Sequence, residues 1–218
     1  MDEKSSKQFI SSFFKERGLR ATARKRVFVQ DCEFYLIVAE IQPAVGKEGI
    51  LLNVGVKFLW SNYYEISYDY SSGDCRINVP NDPLGALFWD NPNAELILDR
   101  LLNDGMDQII EYRKLQDFDT FLYKIKNRND FVQRANANFE KIDESLAIGK
   151  MFNGEFQEAL TILQAASPKN EVALKLLENC NDIELFKCTL INIINNCRSA
   201  MAKKLKISLE PIDSIWNF

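Results

Sequence analysis

The sequence predicts an α+β protein: an N-terminal helix with an antiparallel four- to five-stranded sheet in residues 1–90, followed by an α-helical region in residues 91–218 packed on that sheet. Three observations lead there. Apolar residues follow a helical spacing up to Gly18, a strand spacing from Arg24 and a helical spacing again beyond Pro92. One strand-like run, EFYLIVAEI, is apolar on both faces, which calls for a layer on each side of the sheet. A chain of 218 residues, 46% hydrophobic and 27% charged, also suffices for one sizeable core or two small ones packed closely.

Ser5 and Ser6 stand where they can cap the first helix, Phe9, Ile10, Phe13 and Phe14 fall on one face of it, and Gly18 is positioned to end it. A meander of three strands should follow. Its runs are ARKRVFVQ, EFYLIVAEI and GILLNVGVKFLW, rich in β-branched and aromatic residues and separated by DCE and by QPAVGKEG. In the third run Leu52, Val54, Val56 and Phe58 share one face while Asn53, Gly55 and Lys57 lie on the other, as in a half-buried strand. Within WSNYYEISYDYSSGDCRINV the turn SSGD separates a tyrosine-rich run from a short fourth or fifth strand. NDPLGALFWDNP reads as a loop that ends in Asn91 and Pro92, a cap and a first-turn proline.

Beyond it Ile97, Leu98, Leu101, Leu102, Ile109 and Ile110 form one helical stripe, and Phe118, Phe121, Leu122 and Ile125 another behind a cap at Asp117. Further helices are expected over 130–152, 155–166, 168–179 and 182–206, joined by loops short enough to make neighbours antiparallel. In GEFQEALTILQAA, residues Gly154, Phe156, Ala159, Leu163 and Ala166 resemble the second helix of a tetratricopeptide repeat, and Leu146 with Ala147 fits part of the first. Asp143 and Lys150 stand where bulky apolar residues are usual, and no second copy follows. One helical hairpin is therefore expected rather than an array.

The chain has no histidine. This excludes Ser-His-Asp and Cys-His nucleophile systems, H-E-x-x-H metal sites and any mechanism that needs an imidazole near neutral pH. Carboxylate-only, lysine-based or tyrosine-based chemistry stays open, but the carboxylates form no diagnostic pair. There is no dinucleotide fingerprint, Walker loop or calcium-loop spacing, so no catalytic residue, metal or cofactor is expected. Cys32, Cys75, Cys180, Cys188 and Cys197 are scattered and lack a C-x-x-C pair, which points to buried free thiols. The start, MDEKSSKQF, carries no apolar run behind its charges, and nowhere do about eighteen uncharged apolar residues follow one another. The expectation is an unprocessed cytosolic protein with no membrane contact.

Charge is uneven along the chain. The stretch KERGLRATARKRVF, residues 15–28, holds six basic residues and one acidic one in a protein of formal net charge -4. The remainder has 21 basic against 30 acidic residues, about -9, and suits a basic partner better than a nucleic acid. Lys15 and Arg17 close a helix, where cations favour the dipole, and Arg24, Lys25 and Arg26 precede an edge strand, so the cluster reads as a solvated edge. Lys203, Lys204 and Lys206 close the last helix for the same reason, and PIDSIWNF reads as a tail docked through Ile212, Ile215, Trp216 and Phe218. The stronger candidate for partner binding is the run WSNYYEISYDY with the turn after it, where Trp60, Tyr63, Glu65, Asp69 and Asp74 interleave aromatic and acidic side chains. Even as a plain strand with Tyr64, Ile66, Tyr68 and Tyr70 turned inward, it would leave Tyr63, Glu65 and Asp69 outward.

FFKERGLRATARKRVF and EFYLIVAEIQPAVGKEGILLNVGVKFLW together present a basic entry strand, a strand ending in Gln42 and a strand holding Asn53 and Gly55 as N-x-G. In these features residues 9–125 resemble a family of small bacterial domains of unknown function, built as a helix, a meander and further helices. Such domains look similar to proteins found near bacterial toxin genes. The resemblance implies a non-enzymatic cytosolic immunity-type inhibitor that occludes a basic toxin. Two alternatives are an intracellular adaptor with a helical peptide-binding groove and, third, an enzyme using carboxylates alone.

Overall fold

The strand-like spacing that begins at Arg24 becomes most of one antiparallel sheet, and the helical spacing beyond Pro92 becomes a run of helices. The computed structural model describes residues 3–44, 48–61, 68–70, 75–80, 82, 85–127, 140–166 and 171–215. In chain order these form α1 (Glu3–Glu16), β1 (Arg20–Ala21), β2 (Val27–Cys32), β3 (Tyr35–Pro43), β4 (Gly49–Phe58), β5 (Arg76–Ile77), β6 (Leu87–Phe88) and α2 (Ala94–Arg113). A 3₁₀ turn (Lys114–Gln116) leads to α3 (Phe118–Lys126), α4 (Glu140–Phe152), α5 (Phe156–Ala165), α6 (Glu171–Glu178) and α7 (Ile183–Leu205). The protein is α+β, as its periodicities predict.

The sheet order is β1-β2-β3-β4-β5, with β6 also paired to β4, and every pairing is antiparallel. Glu33 and Phe34 turn β2 into β3. Glu33 takes a φ of 63° there, and its N–H donates to Asp31 Oδ1 at 3.1 Å. A short strand, β1, precedes the run expected from Arg24, and β2 starts later than that run suggests, because residues 22–27 first make a turn: Thr22 Oγ1 bonds both the N–H and the C=O of Arg24 at 3.1 Å, and Val27 N–H donates to Arg24 C=O at 2.7 Å. Ser5 and Ser6 are not caps, since α1 already runs from Glu3. Gly18, at φ 90°, does end the helix. β6 lies inside the stretch expected to be a loop.

Register fixes the two faces of the sheet. Phe28 pairs with Ala39, Ala39 with Val54 and Ile41 with Leu52, so these residues share one face. The rings of Phe14 in α1 and Phe28 lie 5.0 Å apart, and a Cβ on Gly105 of α2 would come within 2.8 Å of Leu52 Cδ2. Both helices therefore lie on that same face. Tyr35 Oη ties it further to α2 by donating to Tyr112 C=O at 2.8 Å. β3 is buried from Tyr35 to Ala39, as an all-apolar strand should be. β4 departs from expectation, because its polar side is buried as well: Asn53 and Lys57 are 2% and 0% exposed.

Contacts divide the chain into two compact units, one of Met1–Phe58, Ile66–Arg113 and Ala202–Ser208, the other of Leu59–Glu65, Lys114–Met201 and Leu209–Phe218. α2 thus counts with the sheet, although its period is that of the helical region. In the first unit Ala23 N–H donates to Leu205 C=O at 2.9 Å.

In the second unit Trp60 meets Phe121 and Phe152 edge-on, with ring centroids 6.0 and 5.9 Å apart, and Phe118 stacks on Phe152 at 5.0 Å. A Cβ on Gly149 of α4 would lie 2.7 Å from Phe121 Cε1, so α3 and α4 approach closely because that residue is glycine. Asp117 caps α3 as predicted, its Oδ1 accepting from Thr120 N–H at 2.8 Å. α4 and α5 form a helical hairpin, and Lys150 pairs across it with Glu155 and, at 3.0 Å, with Glu158. The tail is docked: Asn195 bonds both backbone groups of Ile212 at 2.9 Å, Arg198 Nε donates to Glu210 C=O at 2.8 Å, and Ile215 is buried. Trp216 and Phe218 lie outside the described residues.

Candidate functional site

Among the described residues of the first unit, a polar network on the sheet and a cation-rimmed cleft are the candidates for a site. The first lies on the sheet face opposite α1 and α2. Glu40, Asn53 and Arg76 stand side by side across β3, β4 and β5. Gln42 Nε2 and Tyr68 Oη donate to Glu40 Oε2 at 2.9 and 3.2 Å, and Arg76 Nε donates to Asn53 Oδ1 at 3.4 Å. Gly55 leaves room for the Tyr68 ring, which would lie 2.5 Å from a Cβ there. Beside it Asp69 Oδ2 accepts from Lys57 Nζ at 3.1 Å and from Phe58 N–H at 2.9 Å, with both side chains almost wholly buried.

That arrangement is suited to holding a fold. A buried ion pair persists where further hydrogen bonds satisfy the charges, and the backbone donor on Asp69 is one such bond. Burial, then the Glu40 carboxylate, raises the Tyr68 phenol well above its ordinary pKa, so it stays protonated as a donor. Gln42, Asn53 and Gly55, which carry the resemblance to small bacterial domains, all serve this network.

The second place is a cleft on the α1 and α2 side. Phe28, Ile41 and Ile50 floor it, all buried, and half-buried Trp89 walls it. Lys7, Lys25 and Arg26 stand around it, and the cavity measures about 60 Å³. Two other cations of the basic stretch have structural work: Arg17 lies over the Phe13 ring at 3.6 Å and donates to Phe13 C=O at 3.1 Å, and Arg20 reaches Ser208 C=O at 3.4 Å. Arg24, Lys25 and Arg26 are exposed, and among the described residues no carboxylate pairs with them.

Of the partner-binding residues expected from sequence, the two that are described, Trp60 and Asp69, are both buried. Trp60 is 1% exposed within the aromatic cluster of the second unit, and Asp69 is turned inward onto Lys57. Both correct the expectation of an outward surface, because a lysine in a covered strand needs a carboxylate and a large indole fills a core. Tyr63, Glu65 and Asp74 lie outside the described residues.

No protein-family model, curated protein or solved structure matches the chain. Among the described residues no group of three Cys, Asp or Glu side chains could hold a metal ion, and no helix is long and apolar enough to cross a membrane. None of the five cysteines is in a disulfide. Burial pushes the Cys32 thiol up to about 11, which makes it inert at neutral pH, whereas Cys188 is exposed, contrary to the expectation of buried thiols throughout. Lys57 was the signal that could have revealed Asp69's role: a cation on the same strand face as Gly55 and opposite Leu36 requires a partner.

Proposed function

We propose that the protein is a non-catalytic protein-binding protein. One observation carries this. The polar groups on the sheet with acid–base chemistry bond in pairs, Lys57 with Asp69 and Tyr68 with Glu40, while Lys25 and Arg26 stand exposed and unpaired among the described residues beside a buried apolar floor. Apolar surface ringed by charge is a common design of a protein interface. The absence of histidine narrows the catalytic alternatives further.

The test uses the intact chain as bait in its native cell, with recovered proteins read by mass spectrometry, beside a hydrolase screen with added divalent metals. A protein recovered in stoichiometric amount and no turnover are expected. Turnover that survives repurification and disappears on mutating one carboxylate contradicts the proposal. So does bait that recovers no protein.

A second reading, an immunity-type inhibitor of a basic toxin, is favoured by the charge of about -9 outside the basic stretch. Its specific readout is rescue of growth when the chain is co-expressed with the recovered partner. That reading would use Tyr63, Glu65 and Asp74, since Trp60 and Asp69 are inside.

A further inference from the structure

We infer that the cleft takes an acidic, extended segment of a partner protein, with one aliphatic or aromatic side chain seated against Phe28, Ile41, Ile50 and Trp89 and neighbouring carboxylates paired with Lys25 and Arg26. This rests on the protein-binding reading and adds the chemistry of the partner. Size comes first. A cavity of about 60 Å³ is far below the roughly 300–1,000 Å³ of sites for cofactors and drug-sized ligands, and it suits a single side chain. The floor is apolar and buried, so only an apolar group gains by entering it. The rim is cationic, so the residues flanking that group gain by being acidic.

The rim is also fixed in advance. The turn that carries Lys25 and Arg26 is closed by the bonds of Thr22 to Arg24 and of Val27 to Arg24, so little backbone ordering opposes association. Arg26 can grip a carboxylate through two parallel N–H donors, and Lys25 adds a mobile point charge. A nucleic acid fits less well. It needs a track of cations and exposed faces for stacking, whereas the cleft offers three cations and one half-buried indole, in a protein that is otherwise acidic.

A random peptide library displayed on phage and selected on the intact chain supplies the probe. Fluorescence anisotropy then measures the selected peptide against wild type and against the Lys25→Glu, Arg26→Glu double variant. Selected peptides should carry acidic residues around one apolar residue. Affinity should fall at least about tenfold in the double variant and by a similar factor when serine replaces the apolar residue of the peptide. Raising ionic strength from about 0.1 M to about 1 M, which shortens the Debye length from about 10 Å to about 3 Å, should weaken binding as well. Basic or neutral selected peptides, no selected peptide, or an affinity that ignores the charge reversal would overturn the inference. So would tight binding of a single-stranded oligonucleotide or of phosphatidylserine vesicles that the double variant abolishes, since the occupant would then be another polyanion. A native partner recovered equally by wild-type and double-variant bait would leave the protein-binding reading standing and remove this inference alone.

Discussion

Lys57 and Lys25 carry the same charge in the same sheet unit and do opposite work. Lys57, wholly buried in β4, is neutralised by Asp69 at 3.1 Å, and the carboxylate is held in turn by Phe58 N–H. Lys25 stands exposed on a closed turn beside an apolar cleft, with no carboxylate partner among the described residues. A buried charge is tolerated only while its partner is present, so the fold depends on the pair. An exposed cation contributes little to folding and is therefore available to a partner. Residue type alone does not separate the two cases. The setting of each does.

The contrast can be broken most directly inside. Asp69→Ala leaves Lys57 buried without its carboxylate and should cost about 3–5 kcal/mol in urea unfolding. A loss below about 1 kcal/mol would mean that the ion pair does not hold residues 68–70 to β4. Gly55→Ala should cost about 1–3 kcal/mol by overpacking, because the new Cβ would lie 2.5 Å from Tyr68 Cδ1 and 3.1 Å from Tyr70 C=O. Unchanged stability there would show that the Tyr68 ring moves aside freely. Tyr68→Phe removes the 3.2 Å bond to Glu40 and should cost about 1 kcal/mol, and a neutral result would make that bond dispensable.

The outer region sharpens the comparison at the small end. Replacing Arg24, Lys25 and Arg26 together by serine should change the unfolding free energy by no more than about 0.5 kcal/mol, as for surface positions without special contacts. A larger loss would make these cations part of the fold, and the comparison would lose its second half.

Patterns within a single element were legible in the sequence. The stripe through Leu98, Leu101, Leu102 and Ile109 is buried in α2, Asp117 caps α3, and EFYLIVAEI is covered on both sides, since each follows from local period or cap chemistry. Ile110, assigned to the same stripe, is 45% exposed because 3.6 residues per turn carry it past the edge of the buried face. β6 was not legible: two residues have no period, and only their pairing with Gly49 and Ile50 makes them a strand. The inward turn of Asp69 depends on a lysine twelve residues earlier, and the cleft joins residues from α1, from the turn at 22–27, from β2, β3 and β4, and from Trp89. Strand alternation made Asp69 outward. Burial of the polar side of β4 reversed it.

The most direct test of this division of labour measures two quantities on one protein, the Lys25→Glu, Arg26→Glu variant: its urea midpoint and its affinity for the acidic peptide selected on wild type. An affinity reduced at least about tenfold with a stability within about 0.5 kcal/mol of wild type is the expected result. An unchanged affinity, or a loss of stability large enough to account for the loss of binding, would contradict the assignment of the inner charges to the fold and the outer cations to a partner.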